Sequence, residues 1–169
     1  MNKVAEHSTR SSDVNIRDFR TDDATFLASI YHEAVQKVGR DYYTPDQVQV
    51  WSPAPVSTET FISRVSDGRS VFVAVDDEDK PVAFIELEFD GHIDCFYCHP
   101  DFVGTGVGAA LYDRLERAAR SAGIARLYVE ASEAARGFFL RKGFRLIERR
   151  EFERSNVLIH NYSMEKALT

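Results

Sequence analysis

Apolar and polar positions along this chain follow two periods that change from segment to segment. Residues 14–19 read as a first strand. Thr21-Asp22-Asp23 then opens a helix with acids in its first turn, and Phe26, Leu27, Ile30, Ala34, Val35 and Val38 recur at helical spacing. Gly39-Arg40-Asp41-Tyr42-Tyr43 breaks it. A capping Thr44, Pro45 at the first helical position and Gln47 at the third predict a short helix reaching Trp51. Ser52-Pro53-Ala54-Pro55 ends that helix, and Ser57 or Thr58 opens another through Phe61, Ile62 and Val65.

The pattern then turns to strands. Residues 71–75 and 82–89 are strands separated by an exposed acidic loop, with Glu86 and Glu88 on one face. Asp90-Gly91 is a hairpin turn, and 92–98 pairs back. Ile93, Phe96 and Cys98 skip out of strict alternation, which predicts a bulge near Asp94-Cys95. A helix over 106–122 closes at Gly123. Residues 126–131 form a strand parallel to the one before that helix, since a helical crossover joins them. Residues 133–142 form a helix closed by Gly143, and 144–152 pairs antiparallel with 157–166. The order β-α-α-α-β-β-β-α-β-α-β-β describes a mixed α/β fold with a central splayed sheet. No internal repeat is visible. Residues 1–12 are polar and expected to be a disordered lead, and 13–169 to be one domain.

Composition narrows the function classes. The 169 residues, 44% apolar and 28% charged, are ordinary for a globular chain with a sizeable core. No apolar run is long enough to span a membrane, and Met1 to Ser12 lack a signal-peptide core, so a cytoplasmic protein is expected. A net charge of −6 argues against nucleic acid as a partner and is compatible with a cationic small substrate. Cys95 and Cys98 form a C-x-x-C, but no second ligand pair accompanies them and they lie in a strand pattern. No metal is expected; they read as two reduced strand cysteines.

One stretch carries the candidate chemistry. After the apolar run ending near Cys98, Gly104, Gly106 and Gly108 alternate with Thr105 and Val107, and a helix begins. Glycines let a ligand approach the backbone, and the first N–H groups of a helix suit a phosphate or diphosphate. A P-loop is excluded, because Ala109-Ala110 stand where Lys and Ser or Thr belong. A dinucleotide fingerprint competes: Gly104, Gly106 and Ala109 fit it, with Glu130 as the ribose-binding acid. Against it, His99 to Val103 separate the glycines from the strand, and the motif starts past the chain's midpoint.

The stretch from Phe96 through His99-Pro100-Asp101-Phe102-Val103-Gly104-Thr105-Gly106-Val107-Gly108-Ala109-Ala110-Leu111 also resembles motif A of the GNAT superfamily of acetyl-CoA-dependent N-acetyltransferases. Ser132 through Phe144 resembles the family's later block, and together the two cover about residues 93 to 145. The resemblance implies the family's acyltransferase fold and acetyl-CoA as the acyl donor. It implies that the pantetheine arm pairs with the backbone of Phe96, Tyr97 and Cys98. The diphosphate would lie on the amides of Val103, Gly104, Thr105, Gly106, Val107, Gly108 and Ala109. Ser132, Phe139 and Arg136 would complete the coenzyme site, and Arg141 and Lys142 are further candidates for its phosphates. The acceptor would be a primary amine of a small molecule, peptide or protein. His32, Tyr43 and Trp51 are candidate substrate contacts; for Tyr43 and Trp51, simple core packing is an equal reading. A homodimer is a further expectation, because edge strands in this family often pair.

Three departures stand out. Val103 replaces the family's Gln or Arg, Ser132 its Asn, and Phe139 the Tyr that usually protonates the leaving thiolate. The proton then comes from Tyr97, Tyr128 or water, or the thiolate leaves bare; otherwise the chain binds acetyl-CoA without catalysing transfer. Among strand carboxylates Glu86, Glu88, Asp94 and Glu130, the candidates for proton acceptor are Glu86 and Asp94.

Overall fold

The structure is a computed structural model that describes residues 14–169; the lead expected over 1–12 lies outside the described residues. Seven strands form one sheet in the order β1-β2-β3-β4-β5-β7-β6. They are β1 (Asn15–Asp18), β2 (Ser70–Val75), β3 (Pro81–Leu87), β4 (His92–Cys98), β5 (Arg126–Ala131), β6 (Arg145–Arg154) and β7 (Val157–Ala167). All neighbouring pairs are antiparallel except β4 and β5, which run parallel. The helices are α1 (Ala24–Glu33), α2 (Pro45–Trp51), α3 (Thr58–Val65), α4 (Val107–Ser121) and α5 (Glu133–Arg141).

Two apolar layers cover the sheet. Leu111, Tyr112 and Leu115 of α4 and Phe139 of α5 pack on one face against Ile85, Ile93 and Leu127. Leu27 and Ile30 of α1 and Phe61 and Val65 of α3 pack on the other against Val73 and Phe84. β3 is therefore buried along its whole length, and Glu86 is its one charged residue.

Local signals act as the sequence predicts at several ends. Thr44 Oγ1 accepts the Gln47 N–H while Gln47 Oε1 accepts the Thr44 N–H, a complete capping box at α2. Ser57, rather than Thr58, caps α3. Gly106 caps α4 with φ 89°, and Gly123 follows its end with φ 74°. The β3–β4 register runs from Ile85↔Phe96 to Leu87↔Ile93, so β4 carries one extra residue at Asp94-Cys95. That is the expected bulge.

The first helix departs from its expected stripe. Phe26 is 43% exposed, and the α-helix ends at Glu33, giving way to a π-helical turn over Ala34–Val38. Widening one turn by a residue rotates the next residues of the helix by about 100°. Val35 and Val38 thereby leave the α1 stripe and face a cavity beside β4.

Candidate active site

The site is a fork in the sheet. β4 and β5 pair only at His92↔Tyr128 and Ile93↔Val129; beyond these the strands part. β4 stays bonded to β3, and the His99 N–H donates to the Val82 carbonyl at 2.8 Å. In an antiparallel ladder this orientation alternates, so Tyr97 also turns its N–H and C=O toward β3. Phe96 and Cys98 turn theirs into the fork, where no strand answers them.

A cavity of about 220 Å³ fills the opening. Phe96, Tyr97 and Cys98 form one wall, and Ser132, Ala134, Ala135 and Phe138 of the α5 start form another. Val35, Val38, Tyr43 and Trp51 close it from the α1–α2 side, and Val103, Gly104 and Gly108 border its far end.

That far end is rich in free donors. His99 caps a 3-10 turn over Pro100–Phe102, its Nδ1 accepting the Asp101 N–H. Gly104 (φ 77°) and Gly106 (φ 89°) then take left-handed conformations open to L-residues only at a cost. The Thr105 hydroxyl is spent locally on the Phe102 carbonyl at 2.6 Å. The N–H groups of Gly104, Gly106, Val107, Gly108 and Ala109 have no acceptor among the described residues. A Cβ placed on Gly104 or Gly106 would meet nothing within 4 Å, so this loop borders open space. At Gly108 a Cβ would come within 3.1 Å of Phe96, so that glycine lets α4 sit against the fork.

Several expected site residues stand elsewhere. Phe139 is 1% exposed and belongs to the core, ringed by Phe96, Tyr112, Phe138 and Phe144. Its neighbour Phe138 lines the cavity instead; the one-position difference on α5 is set by packing under α4, which spacing alone does not reveal. Ser132 lines the cavity, but its hydroxyl accepts the Ala135 N–H as the α5 cap. Arg136 lies over the Tyr162 ring at 4.7 Å, outside the cavity lining. His32 is not in the lining either: its Nδ1 meets the Ser52 hydroxyl at 2.8 Å and Gln36 holds the Ser52 carbonyl, which ties the end of α2 to α1. Tyr43 and Trp51 both line the cavity, yet their polar atoms are occupied. Tyr43 donates to the His160 carbonyl and accepts from the Glu133 N–H; Trp51 donates to the Tyr31 hydroxyl at 3.1 Å. Each of the two therefore packs against its neighbours and walls the cavity at once.

Glu86 needs correction as a proton acceptor. It is fully buried, with Arg64 on both oxygens at 2.6 Å and Arg69 at 2.9 Å, and it is not part of the cavity wall. Two guanidiniums compensate a carboxylate that would otherwise be very costly in the core. Asp94 sits on the bulge, partly exposed, with Oδ2 shared by Arg64 at 3.1 Å and Arg69 at 2.5 Å. Glu130, the acid of the dinucleotide alternative, has its Oε2 on His92 Nε2 at 2.5 Å and its Oε1 3.8 Å from Arg150.

Burial shapes the remaining groups. Tyr97 lies against Tyr31 with ring centroids 4.5 Å apart, and burial pushes its phenol well above the usual range, so it stays protonated. Burial raises the Cys98 thiol to about 11, and its S–H faces the His99 carbonyl. Cys95 packs on the α1 face and Cys98 on the α4 face, so the C-x-x-C is neither a disulfide nor a ligand pair. Among the described residues no helix is long and apolar enough to cross a membrane.

Comparison with known proteins agrees with this geometry. Residues 40–166 match the family model described as "Acetyltransferase (GNAT) domain". A GCN5-related N-acetyltransferase structure from Rhodopseudomonas palustris superposes with a TM-score of 0.83 at 31% identity, over 91% of this chain and 95% of that one. A phosphinothricin acetyltransferase from Sinorhizobium meliloti, solved with acetyl-CoA, shares the fold at a TM-score of 0.73 and 18% identity, over 91% and 88% of the two chains. The uncharacterized N-acetyltransferase YafP of Escherichia coli is 26% identical, over 90% of this chain and 95% of its own. The peptidyl-lysine N-acetyltransferase YjaB of Salmonella typhimurium is also 26% identical, over 83% and 89%. A forked mixed sheet, a glycine-led helix start with unspent amides and a family match over most of its length together mean that the chain belongs to the GNAT family of acetyl-CoA-dependent N-acetyltransferases.

Proposed function

We propose that this protein moves an acetyl group from acetyl-CoA to a primary amine of a small molecule, peptide or protein by direct attack within a ternary complex. One observation carries the reading. The unspent backbone donors of Gly104 and of Gly106 to Ala109, with the Thr105 N–H given to the Phe102 carbonyl between them, lie beside the free edge of Phe96 and Cys98. That is an anion cradle joined to a pairing edge, and it suits a diphosphate carrying an extended amide tail. Because Val103 brings no side-chain donor, the amides hold the diphosphate alone. Bound acetyl-CoA supplies the activated acetyl group. The Cys98 N–H, turned into the fork, donates to the carbonyl oxygen as it gains charge. Tyr97, on the cavity wall and held protonated by burial, gives its proton to the departing sulfur. Asp94, like Glu86, is paired with Arg64 and Arg69 and lies outside the cavity lining, so water takes the ammonium proton from the acceptor.

A ping-pong route through Cys98 is disfavoured. A thiol raised to about 11 offers about one thiolate in a thousand at pH 8. The second reading, a binding module without catalysis, draws on Phe138 and Phe139, neither of which carries a proton. Free CoA release should be measured with a panel of amines that includes a lysine peptide, the acceptor class named for the Salmonella relative. Turnover with at least one amine supports transfer. Tight acetyl-CoA binding without turnover on any amine supports the module, and no binding of acetyl-CoA sinks both.

A further inference from the structure

We infer that His92 is a positioning residue: as an imidazolium bridging three strands, it pins the apex of the fork and so sets the shape of the coenzyme cleft. The inference rests on the proposal that the cleft is the coenzyme site. His92 occupies one of the two paired positions between β4 and β5. Its Nδ1 donates to Glu88 at 2.9 Å, just beyond β3, and its Nε2 donates to Glu130 of β5 at 2.5 Å. The ring stacks on Tyr128 of β5, with centroids 4.8 Å apart and planes 25° from parallel. The Tyr128 hydroxyl is in turn held by Asp90 in the β3–β4 turn. One side chain therefore connects the end of β3, β4 and β5 within the short β4–β5 pairing, one residue before its last pair, Ile93↔Val129. The bulge at Asp94-Cys95 and the free edge of Phe96 and Cys98 begin after Ile93, the next residue.

The charge state follows from the hydrogen bonds. A ring that donates from both nitrogens to carboxylates carries both protons. Glu88, His92 and Asp94 bring one ligand atom each within 4.8 Å of one another. In this doubly protonated form His92 has no lone pair for a cation. The Glu130 hydrogen bond is the largest cause raising the imidazole to about 9; burial opposes it and Glu88 assists it. The other charged neighbours are Asp94, Asp90 at the His92 N–H, Arg69 at 3.8 Å from Glu88, Arg150 at 3.8 Å from Glu130 and Arg126 over the Tyr128 ring. The latch is complete below the ordinary histidine range and is lost as pH rises through about 9. Past that point one of the two carboxylates faces a bare nitrogen, and the three-way side-chain tie is reduced to one hydrogen bond beside the backbone pairs.

The test uses the full chain. Affinity for S-ethyl-CoA, a thioether that neither hydrolyses nor transfers, is measured from pH 7.5 to 10 in the wild type and in His92→Gln, with the His92 ring followed by NMR in the free wild type. The wild type should lose affinity about five- to tenfold more than the variant does across this range. The variant should already be that much weaker at pH 7.5. Glu130→Gln, which keeps the Glu88 contact, should lower the NMR midpoint and the affinity midpoint together, and it serves if His92→Gln fails to fold. Parallel affinity curves, a His92 midpoint near that of a free histidine, or an affinity midpoint that ignores the NMR midpoint in Glu130→Gln would each overturn the inference. Failure to bind S-ethyl-CoA at any pH would instead overturn the coenzyme cleft itself.

Discussion

Replacing Gly106 by alanine separates two costs that a glycine substitution usually mixes. Gly106 has φ 89° and ψ −3°, and an L-residue there costs about 1–2 kcal/mol in backbone strain. For a chain of this length that corresponds to a loss of about 2–8 °C in Tm. The new methyl meets nothing within 4 Å of the protein, so it adds no internal clash. In the amide-cradle reading the diphosphate lies in that open space, against the unspent N–H groups of Gly104 and Gly106 to Ala109. A hydrogen bond from an amide to a charged phosphate is worth about 1.5–3 kcal/mol. Displacing the diphosphate from only two such donors therefore weakens CoA binding about a hundredfold or more. Gly123→Ala provides the control. It has φ 74°, equally open surroundings and the same backbone penalty, but lies at the far end of α4, about 22 Å away. Titration calorimetry with CoA, alongside thermal unfolding, should show both variants losing similar Tm while only Gly106→Ala loses affinity. Affinity within threefold of wild type in Gly106→Ala, or an equal loss in Gly123→Ala, refutes the amide cradle.

The other expectations concern buried chemistry. Tyr97→Phe should lower kcat about 10²-fold with little change in KM, measured as CoA release; an unchanged kcat removes Tyr97 as proton donor. Arg69→Leu leaves the fully buried Glu86 with one guanidinium in place of two. Because Arg64 still holds both Glu86 oxygens, the loss should be about 1.5–3 kcal/mol by denaturant unfolding. Glu86→Gln in that background should restore part of the loss, and no recovery would mean that the arginine acts through packing alone. Cys98, with its thiol raised to about 11, should react with iodoacetamide far more slowly at pH 8 than a free cysteine. Saturating CoA should slow it further. Mass spectrometry showing rapid labelling would reopen the covalent route.

How much of the molecule is legible in the sequence depends on the range of the interaction. The α2 capping box and the glycine caps of α4 are settled by near neighbours, and the sequence pattern announces them. The bulge is announced too, because an extra residue breaks a period of two wherever the strand ends up. The glycine run points to an anion cradle for the same reason: only a backbone stripped of Cβ atoms can present adjacent amides to a ligand.

The fate of the carboxylates and aromatics was decided at longer range. Glu86 reads as a strand acid beside a cleft, yet Arg64 and Arg69 reach it from 22 and 17 positions away and make it a structural anchor. Phe138 rather than Phe139 faces the cavity because the packing of α5 beneath α4 sets its rotation. His92 looks like an ordinary strand histidine until β5, 38 positions along the chain, brings Glu130 to it. The chain's own periods and glycines determined which segments become strands and helices and where a phosphate can approach. Which side chains are spent on the core and which face the fork was left to the tertiary structure, because charge pairing and packing depend on residues that meet only once the sheet has formed.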